Sequence, residues 1–129
     1  MGKRRVSAPG KAPPKKNRYG KRKQIVGPDG RKYDSKKEMQ RGQDLQMLEK
    51  AGHIRNLQFQ VRVPIIIGGI KVIYPSGRQM VYVADFTYYD LVKKHDIIED
   101  VKMQSGFHPD SYKFKRALMH TMGLKITEV

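Results

Sequence analysis

The chain predicts an α/β domain, and three observations carry that expectation. A helix-period segment runs over about 35–51, strand-period segments fill 57–103, and a second helix pattern at about 110–122 leads into a short apolar tail. Asp34 or Ser35 can cap the first helix, Glu38 stands three residues after Ser35 as in a capping box, and Gly52 closes the run as the C′ residue. Gly42, Leu45 and Leu48 recur at helical spacing. Glu38 lies on the same stripe and is therefore expected to face the body of the protein. Gly42 weakens a helix relative to alanine, so close approach to a sheet is the expected compensation.

Ahead of that helix, Gly27-Pro28-Asp29-Gly30 separates Ile25-Val26 from Arg31-Lys32-Tyr33, the pattern of a short hairpin. Residues 57–63 alternate apolar and polar, and Pro64 limits that strand. Gly68-Gly69 and Pro75-Ser76-Gly77 bracket residues 70–74 as an added hairpin arm. A longer strand is expected at about 79–89, a polar connection at 93–96, and another strand at 97–103, bounded by Ser105-Gly106. Pro109 with Asp110 or Ser111 opens the last helix, whose buried face is expected to be Phe114, Ala117, Leu118, Thr121 and Met122, with Gly123 at its end. Residues 124–129 supply a terminal strand. The order is helix, three strands with an inserted arm, helix, strand.

With 129 residues and no cysteine, the chain has length for one modest domain and cannot use disulfides or thiolate-bound zinc. No apolar run approaches a membrane span and no secretory h-region follows the basic N-terminus, so a soluble, intracellular protein is expected. The net charge of +15 is uneven: residues 1–24 hold ten Lys or Arg and no Asp or Glu, leaving 17 minus 12, or +5, for residues 25–129. Composition predicts a disordered basic arm over 1–24, including Arg22 and Lys23, joined to one domain over 25–129. Such an arm suits a nucleic acid, where each neutralised phosphate releases counterions. A solubilising or nuclear-import-like tail is the alternative reading.

The chemistry is concentrated in Val83-Ala84-Asp85-Phe86 and Glu99-Asp100-Val101-Lys102. Strand alternation puts Asp85 on one face of its segment and lets Asp100 and Lys102 share a face of the next. If the two strands are neighbours, Asp85 and Asp100 open into one space, where Glu38 can complete an oxygen-rich cluster beside Lys102. Hard cations such as Mg²⁺ or Mn²⁺ favour that donor set, and crowded carboxylates without metal should raise at least one pKa. Ordinary salt bridges to Lys102, and a capping-box role for Glu38, are the structural alternatives. Lys113, Arg116 and His120 share a helix face suited to phosphates, and Lys36 and Lys37 add charge near Glu38. His53, His95, His108 and His120 lack the spacing of a zinc site.

At these residues the sequence resembles the PD-(D/E)XK nuclease superfamily, and more narrowly its small phage- and prophage-encoded members. Position by position, Asp85 matches the first Asp, Asp100-Val101-Lys102 the acidic-x-Lys element, and Glu38 the helical Glu. Ala84 stands where the signature has proline, and Glu99 beside Asp100 leaves the ligand ambiguous by one position; alternation favours Asp100 and sends Glu99 to the other face. The resemblance implies a restriction-endonuclease-like core (α-β-β-β-α-β), with a central mixed sheet flanked by helices. It implies a Mg²⁺-dependent endodeoxyribonuclease using Glu38, Asp85 and Asp100 for metal and Lys102 for chemistry. It further implies selectivity for branched DNA such as Holliday junctions, a homodimer, and the cytoplasm of a bacterial host. No membrane or small-molecule substrate is expected. A nuclease for flap, single-stranded or general duplex DNA, or a non-catalytic basic DNA-binding accessory protein, are the alternatives.

Overall fold

The computed structural model describes residues 24–102 and 110–129. It begins with the expected hairpin, β1 (Ile25–Val26) paired antiparallel with β2 (Lys32–Tyr33). Helix α1 (Lys36–Lys50) follows; the Ser35 hydroxyl accepts the Glu38 N–H at 3.1 Å and the chain leaves at Ala51 and a left-handed Gly52 with φ 83°. The helix buries Glu38, Gly42 and Leu45, whereas Leu48 is exposed. A Cβ on Gly42 would stand 3.0 Å from Tyr33 Cε1 and 3.3 Å from Phe59 Cε2, so the close approach reasoned from the sequence is made to both the hairpin and the sheet.

The sheet is assembled from β3 (Ile54–Pro64), β6 (Val81–Asp90), β7 (His95–Asp100) and β8 (Ile126–Glu128) in the order β3-β6-β7-β8. The first three are mutually antiparallel and β8 runs parallel to β7, giving a central mixed sheet with two helices. Between β3 and β6 the chain makes an arm, but where 70–74 was expected to form it the ribbon is β4 (Ile66–Ile67) with β5 (Ile70–Lys71), because Gly68 and Gly69 at φ 59° and 78° are its turn and not its boundary. Two successive positive φ values are what a two-residue hairpin turn demands.

Along β6 the side chains of Tyr82, Ala84, Phe86 and Tyr88 are buried, as alternation requires. This strand joins two clusters: Phe86 and Tyr88 with Leu45, Ile54 and Ile97, and Tyr82 and Ala84 with Ile65, Met80, Met119 and Ile126. Helix α2 (Asp110–Thr121) corrects the sequence expectation. Phe114 is 58% exposed and Ala117 and Thr121 face solvent, while Met119 is buried and Tyr112, Leu118 and Met122 pack on the core. The reason lies in the anchors: Tyr112 reaches Glu128 and Met119 fills the space over Ala84 and Ile126, which turns the 112–119 stripe inward. The connection carrying Gln104, Ser105, Gly106, His108 and Pro109 lies outside the described residues, as does the arm with Arg22 and Lys23. No helix among the described residues is long and apolar enough to cross a membrane.

Candidate active site

Pairing of β6 with β7 ends at Phe86↔Glu99, so the next rung of that register would set Asp85 opposite Asp100. There the strands part. Instead of continuing the ladder, the Val101 N–H donates to Asp85 Oδ2 at 2.8 Å, while the Lys102 N–H donates to the Val129 carbonyl at 2.8 Å. This fork explains why β7 stops at Asp100 rather than running to 103. It also holds two carboxyls side by side in a gap between diverging strands.

Crowding registers electrostatically. Burial is the main force raising the Asp85 carboxyl to about 7, opposed by the Val101 N–H and reinforced by the charges of Asp100 and Glu38. Glu38, 4% exposed, is also raised, first by burial, with Asp34 and Asp100 adding to it. Its two oxygens have separate duties: Oε1 accepts the Asp34 N–H at 3.3 Å, a capping contact one residue earlier than the capping box expected, and Oε2 accepts from the Gln60 amide at 2.9 Å.

Gln60 is a residue the sequence reading passed over. Continuing the Phe59↔Phe86 and Val61↔Ala84 register sets it opposite Asp85, and its amide nitrogen donates to both Glu38 Oε2 and, at 3.4 Å, Asp85 Oδ1. Its backbone has φ 51°, a left-handed conformation uncommon for a residue with a side chain. Strand period alone would have assigned it to the face of Asp85; nothing in the sequence announces the strained backbone. Through Gln60 the expected three-carboxylate cluster divides into a close pair, Asp85 and Asp100, and a third acid held one side chain away. Among the described residues no three His, Cys, Asp or Glu side chains gather into a metal-holding group.

Lys102 points back at the pair, its Nζ 3.0 Å from Asp100 Oδ2. It also lies 3.2 Å from Glu128 Oε2 and 3.5 Å from the centre of the Tyr112 ring. Burial works to lower this ammonium, but the Tyr112 and Asp100 contacts outweigh it and hold it above the usual lysine range. Glu128, unforeseen in the sequence, lies opposite Asp100 across the β7–β8 ladder and receives the Tyr112 hydroxyl at 2.8 Å and Arg116 Nη1 at 2.7 Å on the same oxygen. Arg116 thus has a partner within the site as well as an exposed face beside Lys113 and His120. Lys37 Nζ donates to the Lys102 carbonyl at 2.9 Å, and Lys36 is exposed close by.

Glu99 is elsewhere. It faces α1, 1% exposed, where Arg41 Nε and Nη2 donate to it at 2.9 and 2.6 Å and the Tyr88 hydroxyl donates to Oε2. Both of its oxygens are engaged, which leaves Asp100 as the acid of the pair that faces the fork. The Tyr82 hydroxyl is the one buried side-chain polar atom among the described residues that completes no hydrogen bond, and the charge of Asp100 acts on it. The Gln60 amide turns its nitrogen toward the acids, so the oxygens at the fork that can meet a cation are carboxylate oxygens, a chemistry that fits a hard divalent cation; Asp85 and Asp100 would hold it, with Glu38 behind Gln60.

The fold and fork define an α/β protein with a carboxylate pair and a lysine where two strands diverge. A family model described as a protein of unknown function (DUF1064) matches residues 16–127, and the chain belongs to that family. No curated protein and no solved structure matches the chain.

Proposed function

We propose that this chain is a Mg²⁺-dependent (or Mn²⁺-dependent) DNA endonuclease of the PD-(D/E)XK type. The observation that carries the reading is the Asp85–Asp100 pair at the β6–β7 fork with Lys102 Nζ 3.0 Å from Asp100. The order helix, three strands, helix, parallel strand supports a restriction-endonuclease-like core. A divalent ion held there would supply charge neutralisation on a phosphodiester and activation of water.

The chain's own groups do the rest. Lys102 presents a fixed positive charge to a phosphate that enters the fork, and Tyr112 and Glu128 limit where that ammonium can go. Gln60 orients Glu38 and Asp85 toward each other, and Lys36, Lys37, Lys113 and Arg116 offer phosphate contacts around the opening.

The test compares a four-way junction with a matched linear duplex, each with and without Mg²⁺, using the wild-type chain and Lys102→Ala. Metal-dependent scission abolished in Lys102→Ala, with DNA binding retained, supports the enzyme. Binding without scission under every condition supports the accessory-protein reading instead. Preference for the junction, together with a two-fold dimer, is the expectation for a resolvase; equal rates on both substrates remove branch selectivity and keep the nuclease. Removing residues 1–24 is expected to weaken binding and to lower the salt slope by up to ~0.9 for each phosphate that the arm would otherwise neutralise.

A further inference from the structure

The segment between Glu49 and Asp85 contains no acid, yet it carries Lys50, Arg55, Arg62, Lys71 and Arg78. Its centre is the β4–β5 arm, which extends past the last β3–β6 pair, Pro64↔Val81. One side of the arm is accounted for by the core: Ile65 is fully buried, and Ile67 and Val72 pack against the cluster of Met80 and Tyr82. The other side is not. Register puts Ile66 beside Lys71 on the opposite side, where Ile66 is 37% and Ile73 56% exposed; Ile70 pairs with Ile67 on the core side but lies next to the Gly68-Gly69 turn, beyond the packed cluster, and is 72% exposed. Arg78 lies over the Tyr74 ring, 5.9 Å from its centre, beside the turn at 75–77 that follows β5.

Exposed apolar groups concentrated on one short ribbon mark a contact surface. The charge around them selects the partner. A second copy of a +15 chain would bring like-charged, acid-free arms together, whereas a polyanion complements them. Apolar side chains of this kind wedge between base steps, and the cost of opening a step is smallest where stacking is already interrupted.

We propose that the β4–β5 arm is a second DNA contact, in which Ile70 seats against an opened base step while Lys71 and Arg78 take the flanking phosphates. This rests on the nuclease reading only for DNA as the ligand; it deepens that reading by assigning the arm to recognition of interrupted stacking.

The experiment uses the full chain without divalent ion, so that binding is read apart from cleavage. The probes are a four-way junction carrying 2-aminopurine at its branch point and a continuous duplex carrying it internally. Wild-type protein is expected to raise 2-aminopurine emission at the junction. Ile70→Ser leaves that emission flat and weakens junction binding about tenfold, while Lys71→Ala lowers the salt slope by about one. Both side chains are exposed, and thermal melting checks that the variants fold. Wild-type emission and affinity in Ile70→Ser would overturn the proposal. So would sedimentation in which Ile70→Ser turns a dimer into a monomer with affinity per protomer unchanged, which gives the arm to a second copy. Cleavage by the wild type in Mg²⁺, run in parallel, reports on the nuclease reading separately: scission with an arm-independent affinity sinks the arm alone, and no binding by any variant sinks both.

Discussion

Glu99 and Asp100 are adjacent on one strand and differ by a methylene, yet the two sides of the sheet treat them oppositely. Glu99 turns toward α1, where Arg41 and Tyr88 take both of its oxygens and its charge is neutralised inside the fold. Asp100 turns toward the fork, where the ladder has ended, a second carboxyl stands opposite, and a lysine faces it from two residues on. What separates the two acids here is whether the fold supplies all of their partners. Around Glu99 donors outnumber acceptors; around Asp85 and Asp100 acceptors crowd together, and burial, reinforced by those neighbouring charges, raises Asp85 to about 7.

The largest expected effect breaks the comparison at Asp100, under the proposed nuclease function. Asp100→Asn should lower single-turnover cleavage in Mg²⁺ by about 10²–10³-fold, the scale of removing a preorganised electrostatic interaction, with an unchanged melting temperature. Glu99→Gln should show the reverse: altered melting with cleavage retained in the folded fraction. A Glu99→Gln protein that melts normally and no longer cuts would exchange the two roles.

On the structural side, Arg41→Ala strands Glu99 as an unpaired buried charge. A loss of about 3 kcal/mol in urea unfolding is expected, at the low end of the range for broken buried pairs because the Arg41 side chain is 30% exposed. A change near zero would mean that Tyr88 alone can carry Glu99.

The pH dependence sharpens the contrast. Asp85 has a folded pKa of about 7 against an ordinary 3.8, so the folded state holds its proton more tightly than the unfolded chain. The group therefore favours folding most below 3.8 and loses that contribution as pH climbs from there to about 7, levelling off above. Metal-free protein should melt at progressively lower temperature across that window, and Asp85→Asn should flatten the dependence. A wild-type profile matching Asp85→Asn would show that Asp85 is not held buried beside Asp100 in solution.

The smallest effect tests the helix that carries both Glu38 and Arg41. Gly42→Ala improves helix propensity but drives a methyl to 3.0 Å from the Tyr33 ring, so a net loss of about 1 kcal/mol is expected by chemical denaturation. A gain in stability would mean that Tyr33 yields without cost.

Much of this was legible in the residues. Helix period and caps located α1, turn chemistry located both hairpin turns, and alternation separated Glu99 from Asp100 before any partner was known. The last helix was misread because Phe114, Ala117 and Thr121 form a credible apolar stripe by type, while the fold instead draws in Tyr112 and Met119 by what lies opposite them. Gln60 and Glu128 were missed for a related cause: a polar residue on a strand carries no mark of whether another segment will meet it.

Periodicity and turn residues are local, set by backbone sterics and by which faces shed water, and so the chain by itself determined its elements and the side on which each acid points. Where β6 and β7 part, which carboxyls then meet, and that Gln60 stands between two of them depend on contacts far apart in sequence. Only packing of α1, the sheet and β8 against one another decided those.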